Sequence, residues 1–461
     1  ASLELGAVVA KAKDGAGELR LFTKEKTWKQ IFKWKAADTV DALGISRDEK
    51  EVYLKSNVGA DTTGVYALET ATGHQHCLLS NPIVDLQRIV FHPANKNVQA
   101  AMFIRDRIGY RFLDQSIERD YKALANFSAG DFQVLSRDLS DSHWTVLFQS
   151  DTNAPDFYLW DRQQQKATYL FSCFPKLRHY TLASMKAFDL KARDGLSLPS
   201  YLSLPAGIEP KGLPMVVLVH GGPRLRDTWG YNWNIQWLAN RGYAVLDVNY
   251  RGSGGFGKAF MHAGDREFAG KMHDDLIDGV KWAITAGIAD PKRIAIMGGS
   301  YGGYATLVGL AFTPDVFAAG VDTCGFSDLR TFMETTPSYW KPYLPSTWYQ
   351  MIGNPEIRED RVEMEKRSPL FRIDKIKAPL LVGQGANDPR IKKKQSDQMV
   401  AAMRKGGKEV DYIVFPDEGH GFARPENNRR FNAAAEQFLA KHLGGRLEPI
   451  EECEQTDKFR R

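Results

Sequence analysis

Gly298-Gly-Ser-Tyr-Gly-Gly303 carries the sharpest chemical signal in the chain. It follows an apolar strand at 293–297 and opens an apolar helical stretch, Tyr301–Phe312. G-x-S-x-G between a strand and a helix is a nucleophile elbow, a strained turn that lifts the serine above the sheet edge. Gly298 and Gly302 leave room where side chains would clash, and Ser300 stands at the positive end of a helix. A serine hydroxyl is a weak nucleophile at neutral pH and needs a base. On such a scaffold the acid and then the histidine follow in chain order. Asp388 comes after the buried run at 379–383, and His420 comes after the strand at 411–415. Asp388 would orient His420, and His420 would take the Ser300 proton. Asp417 and Glu418 are rival acids, less favoured because they lie so close to His420 in sequence. An oxyanion hole needs two N–H donors. Tyr301, next after the nucleophile, supplies one. Gly222 in His220-Gly-Gly-Pro223, after the strand at 215–219, supplies the other. His220 itself reads as structural.

These residues need a scaffold that brings strand ends together. From about Met185 the chain offers one. A hairpin at 185–192 and 197–204 precedes apolar strands at 215–219, 244–249, 294–297, 318–322, 379–383 and 411–415. Helical stretches at 232–241, 274–286, Tyr301–Phe312, Lys394–Lys405 and 428–442 alternate with them. Buried strands between helices imply a mostly parallel, doubly wound sheet, an α/β-hydrolase domain with its site at the C-terminal strand ends.

The first ~180 residues read differently, as all-β. Four similar strands begin at Arg20, Val65, Arg111 and Phe157, spaced by 45, 46 and 46 residues. Further strands, such as those opening at Glu51 and Trp144, lie between them. A period of about 45 residues with about four strands per unit is the pattern of a β-propeller blade. Only three full blades and part of a fourth fit, whereas closure takes about four to eight. The expectation is an incomplete β-propeller, as an N-terminal truncation would leave. The domain boundaries expected are 1–180 for the propeller, 181–445 for the catalytic domain and 446–461 for a tail.

Composition narrows the remaining classes. The chain has 461 residues, 43% hydrophobic and 25% charged, within the globular range. A net charge of +5 over this length is too weak to argue for nucleic acid or an anionic membrane. No apolar run approaches a bilayer span. The first residues show neither the basic region nor the apolar core of a secretory signal, so cytoplasmic and exported locations both stay open. Cys77, Cys173, Cys324 and Cys453 form no CxxC pair. His74 and His76 sit in a blade turn without a second ligand pair, and His273 opens a helix, so neither group reads as a metal site. No metal or organic cofactor is implied.

Taken together, the chain resembles the prolyl oligopeptidase family of serine peptidases, particularly its acylaminoacyl peptidase and bacterial dipeptidyl or oligopeptidase branch. The resemblance rests on the elbow through Tyr304, His220-Gly-Gly-Pro223, Asn249-Tyr-Arg-Gly-Ser-Gly-Gly-Phe-Gly257, Asn387-Asp-Pro-Arg390 and Glu418-Gly-His-Gly-Phe422. It covers about 185–443. It implies short peptide substrates, a site between the two domains and a propeller that excludes folded proteins. It implies that Arg390 grips a substrate carbonyl. It also implies an apolar specificity pocket drawn from Phe326, Phe332, Trp340, Tyr343 and Trp348. Paired glutamates of the kind that hold a free peptide amine have no visible counterpart between residues 60 and 180. An esterase on the same fold is the alternative, since a fold does not fix a substrate. A non-catalytic binding propeller is the remote one. Exo- or endopeptidase mode and homo-oligomerisation stay open.

Overall fold

The computed structural model describes residues 6–12, 14–23 and 26–448. Cys453 and most of the tail expected at 446–461 therefore lie outside the described residues. The chain forms two compact units. The first runs to Thr181 and also takes in Thr228–Tyr231 and Gly254–His262; the second holds the rest.

Among the described residues, the first unit contains four successive antiparallel sheets of three, four, three and four strands. Their first strands start at Ala7, Val40, Leu86 and Asp131. The repeat read from the sequence marks the third strand of each later sheet and the middle strand of the first. Strand alternation puts Val52, Leu54 and Leu68 in one core, and Phe132, Val134, Trp144, Val146 and Phe148 in another. A helix, Gln115–Phe127, interrupts the β pattern. Asp114 caps its first turn, and Ile117, Tyr121 and Leu124, at helical spacing, pack into the second core. The two short excursions are tied in by side chains. Lys258 Nζ reaches Asp38 at 2.8 Å, Asp85 accepts the N–H of Gly257, and the Arg107 guanidinium lies 3.5 Å above the Trp229 ring.

The second unit is built on one eight-stranded sheet. Its strands, in chain order, are β1 (Met185–Lys191), β2 (Ser197–Ser203), β3 (Leu213–Val219), β4 (Ala244–Val248), β5 (Ala289–Gly299), β6 (Ala319–Thr323), β7 (Leu380–Gly385) and β8 (Val410–Phe415). The spatial order is β1-β2-β4-β3-β5-β6-β7-β8. β2 runs antiparallel to β1 and β4, and every pairing from β4 to β8 is parallel. The helices used below are α1 (Trp233–Asn240), α2 (Lys271–Thr285), α3 (Tyr301–Phe312), α4 (Leu329–Glu334), α5 (Lys394–Lys405) and α6 (Pro425–Leu443). Every residue of β4 and β7 is buried, the mark of parallel strands covered on both faces. α3 is buried almost all round, so its small residues are packing surface: a Cβ on Gly309 would meet Phe317 and Ile296.

One buried ion pair anchors the chain as it leaves β4. Arg251 donates through its backbone N–H, Nε and Nη2 to Asp275 of α2 at 2.7–2.9 Å, and its other face meets Asp194. Asp275 is fully buried and Arg251 is 4% exposed. Removing the carboxylate would leave a buried guanidinium whose remaining partner is the part-exposed Asp194 carboxylate. We expect Asp275→Ala to lower the stability of the α/β unit by about 3–5 kcal/mol, read from native-state hydrogen exchange of β4 and α2 amides. A loss below about 1 kcal/mol would mean that solvent already shares the pair.

Candidate active site

The elbow forms because glycine is sterically required on both sides of Ser300. A Cβ on Gly298 would lie 2.6 Å from Gly302, and a Cβ on Gly302 would lie 2.1 Å from the Val219 carbonyl. Ser300 itself takes φ +60°, ψ −118°, a conformation that costs an L residue about 1–3 kcal/mol. It is pinned there. Its N–H donates to Thr323 O at 2.8 Å, and its carbonyl accepts the N–H of Tyr304. Ser300 thus stands at the first turn of α3, where unpaired N–H groups point outward. The Tyr301 ring is buried among Tyr250, Phe268 and Tyr304, so its backbone N–H has a fixed origin.

The loop after β3 runs beside this elbow. A Cβ on Gly221 would touch Ser300 Cβ at 3.5 Å. Gly222 follows with φ +117°, open to glycine and closed to a side chain, which would meet the N–H groups of Arg224 and Leu225 at 2.6 Å. His220 holds the loop: one ring nitrogen pairs with Ser253 Oγ at 2.9 Å, and the ring stacks on Tyr250 at 4.4 Å. Burial pushes its imidazole down to about 4, which keeps it neutral. Asn249 exchanges two hydrogen bonds with Asp227 at the far end of the loop. The partners of the loop thus sit next to Arg251, the anchored residue.

Asp388 and His420 meet directly. His420 Nδ1 lies 2.7 Å from Asp388 Oδ2, while Oδ1 accepts the N–H groups of Arg390 and Ile391. Burial works against the Asp388 charge, but these donors prevail and hold the carboxyl below its usual range. The loops carrying the two residues are sewn together. Asn387 donates to the carbonyls of Glu418 and Pro416, and a Cβ on Gly385 would collide with Gly419 O at 2.1 Å. The rival acids are committed elsewhere. Glu418 accepts from the Ala423 and Arg424 N–H groups and from Asn427, and Asp417 pairs with Arg424. Cys324, not singled out from the sequence, directly follows Thr323; its ligating atom and those of Asp388 and His420 lie within 4.8 Å of one another.

Arg390 is exposed, and among the described residues its guanidinium has no ion-pair partner. The five candidate pocket aromatics divide into two sets. Phe326 and Phe332 are 1% exposed and stack at 4.4 Å in a ladder that starts at Tyr304. Trp340, Tyr343 and Trp348 line a cleft of about 340 Å³ with Gly222, Pro223 and Leu225. Phe332 lies against Trp348 at 5.0 Å, so the buried pair backs the cleft. His273 is buried in α2, with Thr313 as the partner of Nε2, and His74 and His76 are exposed.

Comparisons with known proteins bear on these residues. Residues 229–446 match the prolyl oligopeptidase family. Dipeptidyl aminopeptidase BIII of Pseudoxanthomonas mexicana is 46% identical over 421 residues, covering 89% of this chain and 61% of that protein. Dipeptidyl peptidase family member 6 of Caenorhabditis elegans is 35% identical over 454 residues, covering 93% and 61%. The chain thus spans about three fifths of the length of these relatives. Among solved structures, a Mycobacterium tuberculosis puromycin-hydrolyzing peptidase aligns over 97% of this chain and 69% of its own, with a TM-score of 0.79 at 23% identity. A Pyrococcus horikoshii acylaminoacyl peptidase aligns over 96% and 70%, at 0.74 and 21%. These two share the fold: sheets of a propeller-type β region followed by an α/β-hydrolase unit. The match to the prolyl oligopeptidase family falls mostly in the α/β unit, which also holds the elbow and the hydrogen-bonded Asp388 and His420.

Proposed function

We propose that the chain is a serine peptidase that hydrolyses short peptides through an acyl-enzyme. The observation that carries this reading is the Asp388–His420 hydrogen bond, in the same unit as a serine held at φ +60° on an elbow. In this reading Ser300 Oγ attacks the scissile carbonyl while His420 takes its proton. Asp388 fixes the His420 tautomer and stabilises the imidazolium that forms. The N–H groups of Tyr301 and Gly222 receive the developing oxyanion. His420 then returns the proton to the departing amine, and water repeats the sequence on the acyl-enzyme. Arg390, unpaired among the described residues, binds a substrate carbonyl. Trp340, with Tyr343 and Trp348, forms the apolar wall, and Phe332, itself stacked on Phe326, supports it from behind. The names of the two sequence relatives favour peptides with a free amino end, released as dipeptides. The size limit on substrates is the part of the reading that rests on likeness to propeller-bearing peptidases.

Ser300→Ala should lower kcat on a chromogenic dipeptide anilide by roughly 10⁴–10⁶-fold with the fold intact. Hydrolysis that survives the substitution would move the nucleophile elsewhere. Asp388→Asn should cost about 10⁴-fold in kcat, whereas Glu418→Gln should cost far less, because Glu418 braces the loop without touching His420. Equal losses would return Glu418 to the role of acid. Arg390→Ala should lower kcat/KM about 10–100-fold, the worth of one charged hydrogen bond, while a simple ester substrate should be nearly unaffected. Esters cleaved through Ser300 with no peptide turned over would favour an esterase.

A further inference from the structure

Cys324 stands in an unusual place. It follows β6 directly, in a left-handed conformation, φ +53°, that a β-carbon disfavours, and its N–H is fixed to Gly383 O at 2.9 Å. This geometry brings its sulfur beside Asp388 and His420: one ligating atom from each of the three lies within 4.8 Å of the other two. No other trio of histidine, cysteine and carboxylate atoms comes as close together among the described residues. Cys324 is 2% exposed and Asp388 3%, while His420 is half-buried and keeps the trio in reach of solvent. The backbone N–H groups of Gly385 and Gly421 favour a negative sulfur. Burial outweighs them and holds the thiol up at about 12, so without a compensating positive charge the sulfur stays protonated.

We propose that Cys324, Asp388 and His420 form a binding site for zinc or a similar thiophilic divalent cation, and that filling it shuts off hydrolysis. The inhibitory half rests on the proposed function; the binding half does not. Thiolate, imidazole and carboxylate form a zinc-type donor set, and water fills the fourth position on the open side. Magnesium and calcium, which take oxygen ligands, are poor occupants. Zinc bonds of about 2.0–2.3 Å around a tetrahedral centre need ligand atoms roughly 3.2–3.7 Å apart, so the widest separation in the trio has to close by roughly 1.5 Å at most. The bookkeeping is simple. The thiol proton leaves to solvent, sulfur and one ring nitrogen donate electron pairs to the cation, and nothing is oxidised. A ring with the cation on one nitrogen and a proton on the other has no lone pair left to take the Ser300 proton. Because binding releases a proton, inhibition strengthens as pH rises.

The test has two arms. In the first, Co²⁺ is titrated into the full chain carrying Ser300→Ala. We expect thiolate-to-cobalt charge-transfer absorption that saturates at about one equivalent, is reversed by Zn²⁺ and disappears when Cys324→Ser is added. In the second, the Zn²⁺ concentration that halves peptide hydrolysis is measured for each protein against its own metal-free rate. Cys324→Ser should raise it at least about 10-fold, and the wild-type value should fall with rising pH. Serine keeps an acceptor for the Gly385 and Gly421 N–H groups, and Cys324→Ala serves as the second variant should the first fold poorly. Absence of the cobalt band, or Zn²⁺ inhibition unchanged in both cysteine variants, would overturn the proposal. If the wild type hydrolyses no peptide, the proposed function fails, and the cobalt arm still decides the site.

Discussion

The arrangement depends on a steric constraint where β5 turns into α3. Ser300 occupies a strained backbone conformation, and only hydrogens on Gly298 and Gly302 allow the strand and helix to approach so closely. The strain is offset by what surrounds the turn. Thr323 accepts the Ser300 N–H, β3 presses against Gly302, and α3 is buried along its length. Ser300 is therefore positioned by the core of the unit. Its neighbours follow from the same geometry, because the parallel order β3-β5-β6-β7-β8 delivers the Gly222 loop, Ser300, Cys324, Asp388 and His420 from one set of strand ends.

Electrostatics then separates acids that the sequence ranks only by their distance from His420 along the chain. Asp388 and Glu418 are both buried carboxylates near His420 in the chain or in space. Asp388 spends one oxygen on backbone N–H groups and the other on the imidazole. Glu418 spends both on the following loop and on Asn427. Only the first arrangement can hold a histidine tautomer. His220 shows the opposite use of an imidazole: buried, neutral and engaged by Ser253 and Tyr250, it is part of the scaffold of the loop that carries Gly222.

Much of this was legible in the sequence because the signals were local. The elbow glycines, the order serine, aspartate, histidine, and α3 and α5 with their exact ends all follow from short patterns. The 45-residue period located the sheets of the first unit. What escaped was set by tertiary contact. The helix Gln115–Phe127 carries a helical repeat, yet it lies inside a β-rich run and was masked by it. The attachment of Gly254–His262 to the first unit depends on partners such as Asp38 and Asp85, some 170–220 residues away in the chain. Cys324 looked like an isolated cysteine, because its proximity to Asp388 and His420 exists only once β6, β7 and β8 are paired. Burial likewise divided the pocket aromatics, with Phe326 and Phe332 inside and Trp340, Tyr343 and Trp348 at the cleft.

The central claim is that Ser300 is a nucleophile activated by His420. Its most direct test is covalent labelling with a fluorophosphonate, followed by intact-mass measurement and peptide mapping. The account predicts one adduct per chain, located on Ser300, and almost none when the same protein carries His420→Ala. No adduct on the folded wild type, an adduct on another residue, or labelling of Ser300 at an undiminished rate without His420 would contradict it.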